Sequence, residues 1–351
     1  MSQSTVKMIP FSEATEVEAL DAATGTYRAN IRENFLIGSG TRPLPSSNSR
    51  LTLPTVPNGG YVASCILRAA SLHLAPASQP HPLTTHFEFL SRASPGPAII
   101  TIEVVKPGRK LTTLHATFHQ HGLLPSAPWI TPSTSRKCIT AYLTMTNLTS
   151  ASGLTLPTPL TLPHPPPPKP SPSLLATDSD PSWTIHPFMT SHMRNVASLK
   201  NLEYYAPRAH LLTTTPKATA DIWIRFSTPL GTAKFTTTSL PFVVDCLPYP
   251  VEAFRPTKSE AESGAVPFAP DAVFWYPTVV MNLEVKRPLE GEGEKEWLYL
   301  RMQTKEIREG RFDLEVVVLD EGGELVAVAG CVNLVVGMER NMAGRRGKGK
   351  I

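Results

Sequence analysis

Residues Pro57 to Leu74 read PNGGYVASCILRAASLHL, and this stretch decides the fold. Within it Ser64, Arg68 and Ser71 recur at i, i+4 and i+7, a narrow polar stripe with His73 near its end. Every other position from Tyr61 to Leu74 is apolar or small. A helix that is apolar round most of its circumference must be enclosed by other structure. Asn58 is suited to cap its N-terminus, and Gly59 and Gly60 allow close approach to its first turn. Backbone N–H groups there can bind phosphate or a developing oxyanion. A turn that needs glycine accounts for the same residues, so the motif alone assigns no role.

Strands are expected on both sides of the helix. Tyr27–Ile37 precedes it. Thr84–Leu90, Ile99–Val105, Leu111–His119 and Cys138–Met145 follow, with a turn at Pro107-Gly108-Arg109. Leu114, Ala116 and Phe118 alternate with Thr113, His115, Thr117 and His119, the period of a half-buried strand. The second half repeats this order of elements without repeating residues. Ala220–Ser227 reads as a strand. Ser239–Leu247 reads as a short apolar helix capped by Ser239 and stopped by Pro248. Strands follow at Val279–Val285, Glu296–Thr304, Phe312–Leu319 and Leu325–Val335, with a hairpin turn at Asp320–Gly323.

The 351 residues have room for two ordinary domains or one large one. With 41% hydrophobic and 18% charged residues, the chain is too apolar for disorder and too interrupted for a membrane protein. No uncharged apolar run reaches the roughly 18 residues of a spanning helix. Met1–Ala14 lacks the apolar centre of a secretory signal, and Gly349-Lys350-Ile351 is not a Ser-Lys-Leu type address. A cytoplasmic location is therefore the expectation. The four cysteines are far apart and form no CxxC pair, which argues against a zinc ribbon or a disulfide framework. The net charge is +4, and Arg340, Arg345, Arg346, Lys348 and Lys350 against Glu339 account for all of it. A neutral body with a basic, glycine-rich tail does not describe a nucleic-acid groove.

The 36 prolines are spread unevenly, and nine of them fall in Leu156–Ser173, LPTPLTLPHPPPPKPSPS. Such a run favours extended polyproline II and cannot donate the hydrogen bonds of a sheet. It reads as a spacer, or as a ligand for a proline-binding module. The expected organisation is an N-terminal unit at 1–150, a proline-rich linker at 151–180, a C-terminal unit at 181–337 and a flexible basic tail at 338–351.

The motifs resemble those of the acyl-CoA thioesterase II-like family. PNGGY at 57–61 resembles the start of that family's first helix, and FVVDCLPYP at 242–250 its Asp-bearing helix. Thr278, opening TVVMNLEVKRP, is similar to its active-site threonine segment, and LVAVAGCVNLV at 325–335 resembles its last strand. The match covers about residues 20–150 and 205–337. The resemblance implies an α+β double hot dog: two curled antiparallel sheets, each wrapping a buried helix, packed side by side with the sheets continuing into one another. It implies hydrolysis of acyl-CoA or carrier-bound acyl thioesters by a water that an Asp, a Thr and a Gln hold. Asp245 and Thr278 match the first two. At the third stands Cys331, which lacks an amide's paired donor and acceptor. Asn333, two residues on, shares its strand face but lies about 6–7 Å further along.

The residues also carry a reading of their own. Asp245 is the one charge between Lys234 and Glu252, set in an apolar run. A buried carboxylate must be paired, protonated or functional, whereas an exposed one would need no role. Cys331 as a nucleophile would need a base or cation that its neighbours do not supply, so a core cysteine fits better. His115, His119 and His121 share strand parity, but no carboxylate or cysteine joins them as metal ligands. A solvated strand face is expected there. With the resemblance, the catalytic positions are Asp245, Thr278 and, in the place of the family's Gln, Cys331, and the substrate-binding positions are Asn58, Gly59, Gly60 and Asn333. No metal and no cofactor are called for. The partner is an acyl-CoA or acyl-carrier substrate, with no nucleic acid, no membrane span and homo-oligomerisation left open. The alternative is a non-hydrolytic hot dog in a biosynthetic pathway: a dehydratase using an Asp/His pair such as Asp245 with His86, a cyclase, or an acyl- or polyketide-binding protein.

Overall fold

The computed structural model describes residues 8–37, 41–44, 47–52, 56–163, 167–186, 193, 196–209, 211, 216–227, 233–247, 249–264 and 268–337. The basic tail, Pro165, Pro166 and Pro248 lie outside the described residues. In the first half, β1 (Val17–Asp21) and β2 (Thr26–Ile31) lead to helix α1 (Gly59–Leu74). β3 (His81–Phe89), β4 (Gly96–Lys106), β5 (Thr112–Gln120) and β6 (Arg136–Thr146) follow. The second half has β7 (Trp183–Ile185), β8 (Leu202–Pro207), β9 (Thr219–Phe226), helix α2 (Leu240–Val244), β10 (Thr278–Val285), β11 (Leu298–Gln303), β12 (Arg311–Leu319) and β13 (Leu325–Leu334). β1, β7 and β8 extend the expected set at its edges. The strand expected at Tyr27–Ile37 stops at Ile31.

Helix α1 forms as its pattern requires. Asn58 accepts the Tyr61 N–H at 2.8 Å and caps it. The helix is buried from Gly60 to Ala70 except at Arg68, and β1 to β6 curl round it. Ser64 lies on the polar stripe yet is buried, because its hydroxyl donates to the Gly60 carbonyl at 2.9 Å. Its counterpart α2 is only five residues long. Thr237–Ser239 lead into it as a tighter turn, Pro241 sits in its first turn, and it ends at Val244, short of the expected Leu247. Ser239 does not cap α2 by its side chain; its hydroxyl instead bonds the Thr236 backbone.

The two curled sheets, expected to continue into one another, form one antiparallel sheet of fourteen strands among the described residues. Its order is β1-β2-β4-β5-β6-β3-β10-β13-β12-β11-β9-β8-β7, with Ile307–Arg308 pairing β12 off this path. The seam is β3 against β10, with Phe87 opposite Met281 and His86 opposite Asn282. Each is the first strand that its half adds to this sheet after the helix, and pairing them satisfies two edges that would otherwise lie open. Read outward from this seam, both halves follow the same order. The core is shared by the two halves: Phe11 stacks on Phe242 at 5.2 Å, and Phe35 meets the same ring edge-on at 5.4 Å.

The described residues of the proline-rich segment 156–173 join no strand, but they are not a free spacer. Pro163 accepts from Arg301, and Pro168 accepts from the Trp183 indole. Leu162 packs on a second cluster that includes Trp183, Trp223, Trp297 and Tyr299. The segment therefore straps the outer face of the second half. No helix among the described residues is long and apolar enough to cross a membrane.

Candidate active site

The site forms where the first turn of α1 meets the end of α2. Gly60 donates its N–H to Asp245 Oδ2 at 2.7 Å, and Asn58 Nδ2 donates to the Asp245 carbonyl at 2.9 Å. A Cβ on Gly60 would stand 2.1 Å from the Pro241 carbonyl oxygen and 2.7 Å from Asp245 Cβ. Only glycine lets the two helices approach this closely. Gly59 lies against the Phe89 ring and lines the cavity described below. Its N–H finds no acceptor among the described residues.

Asp245 Oδ1 accepts from the Thr278 hydroxyl at 2.7 Å, and Thr278 Oγ1 accepts from Asn333 Nδ2 at 3.1 Å. The β10–β13 register explains the second bond. Met281 faces Cys331 and Val280 faces Val332, but a bulge at Val279 then sets Thr278 opposite Asn333. An unbroken ladder would have put Val279 there. The shift that Asn333 needed is thus built into the strand. Because the single Thr278 hydroxyl hydrogen goes to Asp245, Oγ1 can only accept, which turns the Asn333 amide nitrogen towards it. Asn333 Oδ1 is left buried and without a partner among the described residues.

Asp245, Thr278, Asn58, Gly59 and Asn333 line one cavity of about 360 Å³, otherwise walled largely by apolar side chains such as Val62, Phe89, Leu199 and Leu314. Burial raises the Asp245 carboxyl to about 6, against the opposing pull of the Thr278, Gly60 and Asn58 hydrogen bonds. Such a group is a base just above its pKa and an acid just below it.

Cys331 does not line the cavity. It is 4% exposed, faces Met281 and Leu314 across its two ladders, and belongs to the core. Burial, then the charge of Asp245, push its thiol well above the usual range, so it is no thiolate at neutral pH. The side chain thus sits in the core rather than at the cavity wall. His86 bonds Asn282 at 2.7 Å and Glu88 at 3.2 Å on the sheet face opposite Phe87 and Phe89. No histidine is among the described cavity-lining residues. His115, His119 and His121 keep separate partners, Thr140, Thr101 and Arg136. His119 is not solvated as expected: β5 is buried continuously from Ala116 to Gln120, and burial lowers the imidazole to about 4.

Among the lining residues that the sequence reading missed are Glu252, Arg255 and Tyr276. Arg255 grips Glu252 through Nε at 2.8 Å and Nη2 at 2.9 Å, and Tyr276 donates to the same carboxylate. The i,i+3 acid–base spacing was the available signal.

Comparison with known proteins places these features. Residues 49–146 match the model of an acyl-CoA thioesterase N-terminal domain, and residues 159–330 that of an acyl-CoA thioesterase C-terminal domain. A thioesterase-like protein of Talaromyces wortmannii, TwmA, is 39% identical over 97% of this chain and 96% of its own length. Among solved structures, a hot-dog-fold protein of unknown function from Alicyclobacillus acidocaldarius superposes with a TM-score of 0.62 at 15% identity, covering 93% of this chain and 97% of that one. The acyl-CoA thioesterase II TesB2 of Mycobacterium marinum does so with 0.57 at 14% identity, covering 93% and 98%. At such identities the likeness shows the hot-dog fold alone.

Proposed function

The chain belongs to the acyl-CoA thioesterase family, and from that premise we propose that it hydrolyses acyl thioesters, CoA- or carrier-linked, by direct attack of water. One observation carries the reading: a carboxyl raised to about 6, tied through Thr278 to Asn333, at the wall of a mostly apolar cavity. The water sits between Asp245 and the unpaired Asn333 Oδ1, each accepting one of its hydrogens. Asp245 takes a proton as the water oxygen bonds to the thioester carbon, and the carbonyl electrons move to oxygen. Gly59 N–H receives that oxyanion, since the Gly60 N–H is already used on Asp245. The oxyanion collapses, the C–S bond breaks, and the thiolate takes the proton back from Asp245. The products are a carboxylic acid and a thiol. Thr278 and Asn333 are positioning residues for Asp245 and the water, and Asn333 supplies the amide that Cys331 lacks. The step needs no metal or redox cofactor.

The dehydratase form of the alternative requires an acid/base pair of Asp and His, and no described histidine reaches the cavity. The test is release of free thiol from acyl-CoA esters of graded chain length and from an acyl-carrier protein. Turnover above the uncatalysed rate, lost in Asp245→Asn, is expected. A folded protein that releases no thiol from any of them would refute hydrolysis and favour a binding or cyclising hot dog.

A further inference from the structure

The hydrolytic reading leaves the Glu252–Arg255–Tyr276 group unused, although it forms part of the same cavity wall. The side chains of Glu252 and Arg255 are 4% and 5% exposed. Arg255 spends Nη1 on the Pro270 and Ala272 carbonyls, at 2.9 and 2.8 Å, and Nε and one Nη2 hydrogen on Glu252. Among the described residues these bonds leave one Nη2 hydrogen and acceptor capacity on Glu252 Oε2. Tyr276 comes two residues before Thr278, so the polar group lies within an acyl chain's reach of the reacting carbonyl. A hydrocarbon tail lying there would strip water from a buried ion pair and return nothing. An oxygen function would replace that water with a charge-assisted hydrogen bond.

Resting on the hydrolase reading for the place of the thioester, we propose that Glu252 and Arg255 select acyl chains bearing a hydroxyl or ketone along their length over plain saturated chains. Glu252 accepts from a hydroxyl, and Arg255 donates to a hydroxyl or ketone oxygen.

Binding and turnover are measured separately, so that the two readings fail separately. Calorimetric titration uses non-hydrolysable thioether analogues of octanoyl-CoA and of its 3-, 5- and 7-hydroxy derivatives. At least one hydroxylated analogue is expected to bind about tenfold tighter or better than the plain one, the scale of a hydrogen bond to a charged group. Plain octyl binding equal to or tighter than all three would overturn the proposal. Thiol release from the matching thioesters tests hydrolysis, and its absence leaves the binding result standing. In the double variant Glu252→Leu/Arg255→Met, with a thermal melt confirming the fold, the preference should vanish. Its persistence would overturn the proposal, and if that variant does not fold, the wild-type titration decides.

Discussion

Asp245→Asn should make the protein more stable and nearly inactive. The native fold holds a carboxyl raised from 3.8 to about 6, so its ionised form costs the native state about 3 kcal/mol above pH 6. The sign follows from proton counts. Between these values the native state binds more protons than the unfolded chain, so stability falls as pH rises through that window. Asn removes the charge and can keep the network. Its oxygen accepts from Gly60 and its nitrogen donates to Thr278, whose hydroxyl turns to a flipped Asn333 amide. Denaturant unfolding at pH 5 and pH 8 checks the argument. The advantage of the variant should widen by about 1–2 kcal/mol between the two, towards about 3 kcal/mol at pH 8. Thiol release should drop about 10²–10⁴-fold, while wild-type kcat/KM climbs with pH through about 6. A variant less stable than wild type at both pH values would refute the raised carboxyl, and retained turnover would refute its role as base.

Gly60→Ala should lower stability by about 1–3 kcal/mol in a thermal or denaturant melt, because the new methyl meets the Pro241 carbonyl rather than a movable side chain. Asn333→Leu should reduce kcat by about tenfold or more through loss of the Thr278 and water contacts, whereas Cys331→Ser should leave kcat within a few-fold. If the serine variant loses turnover instead, a thiol nucleophile has to be considered. Arg301→Met removes the cation from the buried Asp221 carboxylate, leaving it the Tyr299 hydroxyl, and frees the Pro163 carbonyl. It should cost about 3–5 kcal/mol and speed proteolysis near residues 156–163; a neutral result would mean that the strap is loose.

How much of this was legible in the sequence follows the range of the forces involved. Helix α1 was readable because its apolar periodicity is carried by residues three and four apart. Nine of the ten expected strands recur within three residues at each end for the same reason, at period two. Asp245 stood out as a lone charge in an apolar run, and burial on folding made that local oddity chemical. The site itself joins residues far apart in the chain: Thr278 lies 33 positions from Asp245, Asn333 55 from Thr278, and Gly60 185 from Asp245. No local pattern encodes such distances. Sequence parity put Cys331 and Asn333 on one strand face but could not choose between them. A one-residue bulge at Val279, set by how β10 and β13 pair, brings Asn333 to Thr278 and leaves Cys331 in the core. The joining of β3 to β10, the loss of the Gly60 N–H to Asp245 and the placing of Glu252 and Arg255 at the cavity wall were likewise decided in three dimensions. Open strand edges, close helix contact and buried charge are satisfied there by partners that the chain brings from afar.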